Sequence, residues 1–176
     1  VELRQQLAFA AEDLPGAIER LQLRFPNTEA VVLSTCNRVE VYTASEDQNE
    51  SPSHEDVVQF LAEFHQLSPE EIFGELFQQS GEDAVRHLFY VAASLDSMVV
   101  GESQILGQVK QAYEEATRLG STGPLTHGVF QAALKAARRV AADTAIHQRR
   151  ISIPAVAVSD FAPQIFQRFD DTNILL

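Results

Sequence analysis

The sequence predicts an α+β domain. Three observations carry the prediction: two β-branched runs stand close together early in the chain, amphipathic helical segments flank them, and the second half has a helical hydrophobic period. At 176 residues, 45% hydrophobic and 22% charged, the chain has the make-up of one globular domain, or one domain plus an appended element, and can bury a core without staples. No apolar run approaches the roughly 20 residues that cross a bilayer, and Val1–Gln6 lacks the charged and apolar regions of a signal peptide. A protein without membrane contact, in the cytoplasm, is expected. The single cysteine, Cys36, cannot close an intrachain disulfide, which agrees with a reducing compartment.

Taken in order, Leu14 to Phe25 reads as a short helix, with Leu14, Ile18, Leu21 and Phe25 at helical spacing, Pro15 in the first turn and Pro26-Asn27 as the stop. Ala30–Leu33 and Val39–Thr43 read as strands, separated by the polar stretch Ser34-Thr35-Cys36-Asn37-Arg38. Ser45 to Ser53 is an acidic, Ser-rich loop leading into a helix from about Glu55 to Phe64. Pro69–Phe73 is a turn or short helix, and Glu75–Gln79 a third strand. An apolar stripe through Ala84, Val85, Leu88, Val91, Ala92 and Leu95 predicts a helix over Glu82–Met98. Further helices are predicted over Ser103–Leu119 and, after the break Gly120–Pro124, over Thr126–Ala145. A last helical stretch runs from Pro154 to about Phe169, and Thr172–Leu176 reads as the first half of a strand. The expected organisation is an α+β domain over 1–150 and, over 151–176, a helical connector with the truncated start of a further domain.

The formal charge of −12 argues against a generic nucleic-acid binder, which needs a cationic surplus on the contacting surface. A local patch is still possible: Lys135, Arg138 and Arg139, at i, i+3 and i+4, share one helix face, and either form a solvated face or meet a polyanion.

Cys36 lies in a polar loop between two strands, with Arg38 two residues on. A nearby guanidinium favours thiolate over thiol and so raises the fraction of competent nucleophile; the alternative is a small, inert, buried hydrophobe. On the helix from Glu82, residues His87, Tyr90, Ser94 and Ser97 fall on one stripe beside the apolar face, suited to a half-buried groove that orients substrate and moves protons. The alternative for His87 is a hydrogen-bonded boundary residue. Gln104, Gln108 and Gln111 repeat at i, i+4 and i+7 and can fix a carboxylate or amine, or are ordinary surface amides, which suits Gln111 best. Glu102 most simply favours the positive end of the following helix. The histidines are scattered without metal-ligand spacing, so no metal is expected. No dinucleotide fingerprint follows a strand, so no cofactor-binding residue is expected in this chain.

Two stretches together, Ser34-Thr35-Cys36-Asn37-Arg38-Val39-Glu40 and Gly101-Glu102-Ser103-Gln104-Ile105-Leu106-Gly107-Gln108-Val109-Lys110, resemble signature segments of glutamyl-tRNA reductases. His87-Leu88-Phe89 through Leu95-Asp96-Ser97-Met98 resembles the family segment between them. The resemblance spans nearly the whole chain. It implies a ferredoxin-like catalytic domain followed by a helical connector, and the NADPH-dependent reduction of glutamyl-tRNA to glutamate-1-semialdehyde in tetrapyrrole (porphyrin) biosynthesis. It implies that Cys36 attacks the aminoacyl ester to form a thioester, that His87 handles protons or polarises the thioester carbonyl, and that Arg38 recognises the glutamyl group. Thr35, Ser97, Glu102, Gln104 and Gln108 would line the substrate site. NADPH would be held by a domain beyond Leu176, and the family's opening strand, with its Asn-His motif, would precede Val1. The fragment is therefore expected not to complete the reduction alone. Glutamyl-tRNA, a homodimeric partner in the full-length protein and glutamate-1-semialdehyde aminotransferase are the implied partners, and Lys135, Arg138 and Arg139 the implied tRNA contacts. Two rival classes are a thiol hydrolase using Cys36 and His87, and a non-catalytic helical interaction module.

Overall fold

The computed structural model describes residues 2–96 and 104–146. Its centre is an antiparallel hairpin, β1 (Glu29–Ser34) and β2 (Val39–Ala44), in register from Glu29 opposite Ala44 to Ser34 opposite Val39. Helices α1 (Glu2–Gln6) and α2 (Leu14–Arg24) precede it; α3 (His54–His65), α4 (Pro69–Phe73), α5 (Gly81–Ala92), α6 (Gln104–Arg118) and α7 (Pro124–Asp143) follow. The α+β class predicted from the sequence is therefore observed, as helices around a small antiparallel sheet. The expected connector over 151–176 and the helix from Pro154 lie outside the described residues.

β1 is buried at all four positions Ala30–Leu33, which requires cover on both faces because successive side chains alternate. α2, α6 and α7 all touch it. Its end is also held: Ala30 N–H donates to the Ser121 carbonyl at 2.8 Å, and Ser121 Oγ donates back to the Ala30 carbonyl at 2.8 Å. β2 is only half-buried along its length. Glu40 and Tyr42, on one face, meet α5 and α7: Glu40 reaches His87, and the Tyr42 ring stands edge-on to Phe130 at 5.4 Å.

Helix starts follow capping chemistry. Ser53 and Asp56 form a reciprocal box at α3, with Asp56 N–H donating to Ser53 Oγ at 3.1 Å and Ser53 N–H donating to Asp56 Oδ2 at 2.9 Å. At α7 the cap is remote: the Glu29 carboxylate accepts from Leu125 N–H at 3.2 Å, Thr126 N–H at 2.7 Å and Thr126 Oγ1 at 2.6 Å.

Two expectations are corrected, and one helix is added. Glu75–Gln79 is not a strand; residues 76–80 are irregular, facing β2 across a cavity of about 460 Å3 that keeps them from any ladder partner. Helix α5 stops at Ala92, not near Met98. Ser94 takes a left-handed φ of 60°, and Leu95 N–H turns back to the Tyr90 carbonyl at 2.9 Å, which closes the helix although the apolar period runs on to Leu95. Finally, α1 was not anticipated: its one polar turn carries too little apolar periodicity to announce itself.

Candidate active site

A four-residue loop joins β1 to β2, and Thr35 sets its shape. Thr35 N–H donates to the Arg38 carbonyl at 2.8 Å, and its Oγ1 accepts the N–H groups of Asn37 and Arg38, each at 3.1 Å. The Thr35 hydroxyl thus serves the turn. Arg4 on α1 braces the loop from outside by donating to the Asn37 carbonyl at 3.3 Å. Cys36 sits on this braced loop and is exposed, so the buried-hydrophobe alternative fails. Among the described residues its thiol makes no hydrogen bond to His87.

Arg38 at the end of the loop, then Glu40 and Tyr42 on one face of β2, follow at alternate positions, and Glu40 is the hub. Its Oε1 accepts from Arg38 Nη1 at 2.8 Å and lies 2.9 Å from His87 Nε2; its Oε2 accepts from the Tyr42 hydroxyl. Arg38 also donates to the Asp96 carboxylate at 3.3 Å and to the Asp96 backbone carbonyl, and His87 Nδ1 lies 3.9 Å from Asp96 Oδ2.

The electrostatics follow from this packing. Burial pushes the Glu40 carboxyl up, but hydrogen bonds from His87 and Tyr42 and the Arg38 charge more than offset it, so Glu40 titrates below the usual range. The hydrogen bond to Glu40 raises His87 above an ordinary imidazole against the opposing effect of its own burial. Burial, then the Glu40 charge, pushes the Tyr42 phenol far up, so it stays a donor. With His87 protonated, two cations balance two carboxylates.

The loop, strand and helix predictions thus bring Thr35, Arg38 and His87 into one place beside Cys36's loop. Of the stripe expected on this helix, His87 is half-buried, Tyr90 is 50% exposed and Ser94 lies fully buried beyond the helix end, so these three do not share one half-buried face. Gln104 is exposed and Gln108 half-buried on α6, and neither bonds to the Arg38–Glu40–His87 cluster; Gln111 is a surface residue. Ser97 and Glu102 lie outside the described residues. Lys135 and Arg138 are exposed on α7, while Arg139 approaches Asp143 at 3.8 Å. Sequence reasoning missed Glu40, Tyr42, Asp96 and Arg4 as site residues. The period-2 spacing of Glu40 and Tyr42 in the predicted strand Val39–Thr43, in step with Arg38 just before it, was the available signal for two of them.

Comparison with known proteins agrees with the motifs. The family model described as glutamyl-tRNAGlu reductase, N-terminal domain, matches residues 1–144. The chain is 45% identical over all 176 residues to a glutamyl-tRNA reductase of Rhodopirellula baltica, covering 41% of that protein. It is 41% identical over its whole length to one of Pseudomonas aeruginosa strain PAO1, covering 40% of it. The structure resembles that of glutamyl-tRNA reductase from Methanopyrus kandleri with a TM-score of 0.69 and 33% identity, over 89% of this chain and 35% of that one. The chain spans about 40% of the length of the curated relatives it matches. A matched domain model over most of the chain, whole-length identity and a shared fold together establish that this chain belongs to the glutamyl-tRNA reductase family, as its N-terminal domain.

Proposed function

We propose that this chain is the acyl-accepting part of an NADPH-dependent glutamyl-tRNA reductase. The Cys36 thiolate attacks the ester carbonyl of glutamyl-tRNA; the carbon–sulfur bond forms, the bond to the ribose oxygen breaks, and that oxygen leaves with a proton. One difficult reduction of an ester becomes two easier steps through a thioester. The single observation that carries this reading is the cluster of Arg38 and His87 on the half-buried Glu40, two residues along the chain from the loop that carries an exposed Cys36.

Within the cluster each residue has a task. Glu40 holds His87 in its cationic form, ready to protonate the departing ribose oxygen or to polarise the thioester carbonyl. Arg38 binds the glutamyl carboxylate. Its partner Asp96 is 55% exposed at the side chain, against 14% for Glu40, so Asp96 is the ligand an incoming carboxylate displaces. Gln104, Gln108, Ser97 and Glu102 are assigned to the substrate by family resemblance.

No Gly-rich strand-to-helix turn stands among the described residues to cradle a pyrophosphate, so none is assigned to the cofactor. NADPH, bound on a part of the reductase outside this chain, supplies the hydride that takes the thioester to glutamate-1-semialdehyde. The same reading carries a homodimeric full-length enzyme in the cytoplasm, and transfer of the reactive aldehyde to its aminotransferase. It also carries a ferredoxin-like sheet: α2, β1, β2 and α3 follow the order helix, strand, strand, helix, and the irregular stretch Glu75–Gln79 comes next in the chain, where that order has its last strand. The cavity between β2 and that stretch lies where one further strand would pair with both.

Intact-mass measurement after mixing the chain with charged glutamyl-tRNA tests the acylation. A glutamyl adduct is expected on the wild type and not on Cys36→Ser. An adduct on both, or one mapping to another residue, overturns the role of Cys36.

A further inference from the structure

We infer that Ser34 and Arg4 are positioning residues for Cys36: they tie its loop on both sides to residues 4–9 and so fix the line along which the thiol meets the ester. The inference rests on the reductase reading above, which makes Cys36 the acyl acceptor.

An exposed thiol on a four-residue loop has little packing of its own to aim it, and a misplacement of about 1 Å can cost about a hundred-fold in rate. The bonds of Thr35 shape the turn from within but do not hold it against the rest of the fold. Two longer ties do. Before Cys36, Ser34 Oγ accepts from Phe9 N–H at 2.9 Å and donates to the Phe9 carbonyl at 3.3 Å. One hydroxyl thereby serves both backbone groups of a buried residue outside the sheet, as a ladder partner would. After Cys36, Arg4 Nη1 donates to the Asn37 carbonyl at 3.3 Å. Both ties come from one segment, so the loop shifts only if that segment shifts.

The segment is itself anchored. Leu7 and Phe9 are buried, and the Phe9 ring packs on Phe64 and His65 in the last turn of α3, with centroids 5.1 and 4.6 Å away. Arg4 Nε is buried without a hydrogen-bond partner among the described residues. Burying that N–H unpaired costs stability, so the bond from Arg4 to Asn37 counts for where it puts the loop more than for the stability it adds.

The test compares two reactions of the same thiol: single-turnover acylation by saturating glutamyl-tRNA, followed by mass, and alkylation by iodoacetamide. Acylation needs the thiol on one line to a bound ester, whereas a small reagent meets an exposed thiol from any open side. The ratio of the two rates therefore reads position separately from folding and from thiolate fraction. Ser34→Ala and Arg4→Ala should each slow acylation about ten- to a hundred-fold and leave alkylation unchanged. Ser34→Thr, which keeps the hydroxyl, should restore the wild-type ratio. If Ser34→Ala does not fold, Arg4→Ala decides whether the segment aims the loop. A folded variant that is acylated at the wild-type rate, or whose acylation falls only in step with alkylation, overturns the positioning role of its residue. Ser34→Thr as slow as Ser34→Ala overturns the tie through the hydroxyl. If wild-type Cys36 is alkylated but never acylated, the reductase reading itself falls, and both positioning roles with it.

Discussion

At the scale of single residues, Glu40 decides the chemistry available to the site. It is the one carboxylate that Arg38, His87 and Tyr42 all share, so the state of His87 depends on it. The signs can be worked out. His87 is raised above its ordinary value, so its contribution to stability is complete below the ordinary imidazole range and is lost as pH rises through the raised value. Glu40 is lowered, so its contribution holds above the ordinary carboxyl range and is lost as pH falls through the lowered value. The pair is strongest between those two limits. Glu40→Gln removes the charge while keeping the shape. The His87 titration, followed by NMR of the ring protons, should then fall toward the ordinary 6.5. The alkaline limb of Cys36 acylation should move to lower pH with it. A loss of stability of about 1.5–3 kcal/mol is expected, the value of a hydrogen bond to a charged group. An unmoved His87 titration would show that Glu40 does not control it. Cys36, Arg38 and His87 were legible in the sequence because each stands out chemically within a recognisable motif. Glu40 did not, because a charged residue in a half-buried strand reads as solvent-facing until its three partners arrive from the loop, β2 and α5.

At the scale of elements, long periodic helices and the β-branched hairpin were readable to within a few residues, since local period and propensity agree with the final packing. The failures occur where tertiary context decides. Helix α5 carries an apolar pattern past Ala92, yet Ser94 in the left-handed region ends it, and nothing local distinguishes that serine from a helical one. The start of α7 is similarly non-local, because its cap comes from β1. Burial raises the Glu29 carboxyl, but the bonds from Thr126, Leu125 and Gly123 outweigh it and leave it lowered. That stabilisation is lost as pH falls through the lowered value. Gly123 has an extended backbone that any residue can adopt, but a Cβ there would lie 2.5 Å from Glu29 Oε1. Gly123→Ala should therefore displace the carboxylate and cost about 1–2 kcal/mol, the worth of a helix cap, in urea denaturation. In a Glu29→Ala background the same change should cost almost nothing, because the clash and the cap are already gone. Equal costs in both backgrounds would mean that Gly123 acts through something other than Glu29.

At the scale of the whole molecule, the sheet is uneven: β1 is buried on both faces, while β2 is only half-buried and borders a cavity of about 460 Å3 on the side away from β1. A strand edge that faces a cavity leaves backbone donors and acceptors without a ladder, which the rest of a protein usually covers. The sequence reading placed a third strand at Glu75–Gln79, but strand formation is a property of pairs, and a single stretch cannot supply the partner. If the sheet is ferredoxin-like, one strand from elsewhere in the full-length protein fills the gap and converts Glu75–Gln79 into a strand at the same time. Hydrogen exchange separates the possibilities. In this chain the β2 amides that point toward β1 should be protected and those that point into the cavity should exchange quickly. In a full-length reductase that contains this domain, the second set should slow by at least an order of magnitude, as expected when open backbone joins a cooperative unit, and amides of 76–79 should slow with it. Cavity-side amides that exchange equally fast in both proteins would rule out the inserted strand, and with it the ferredoxin-like order of the sheet.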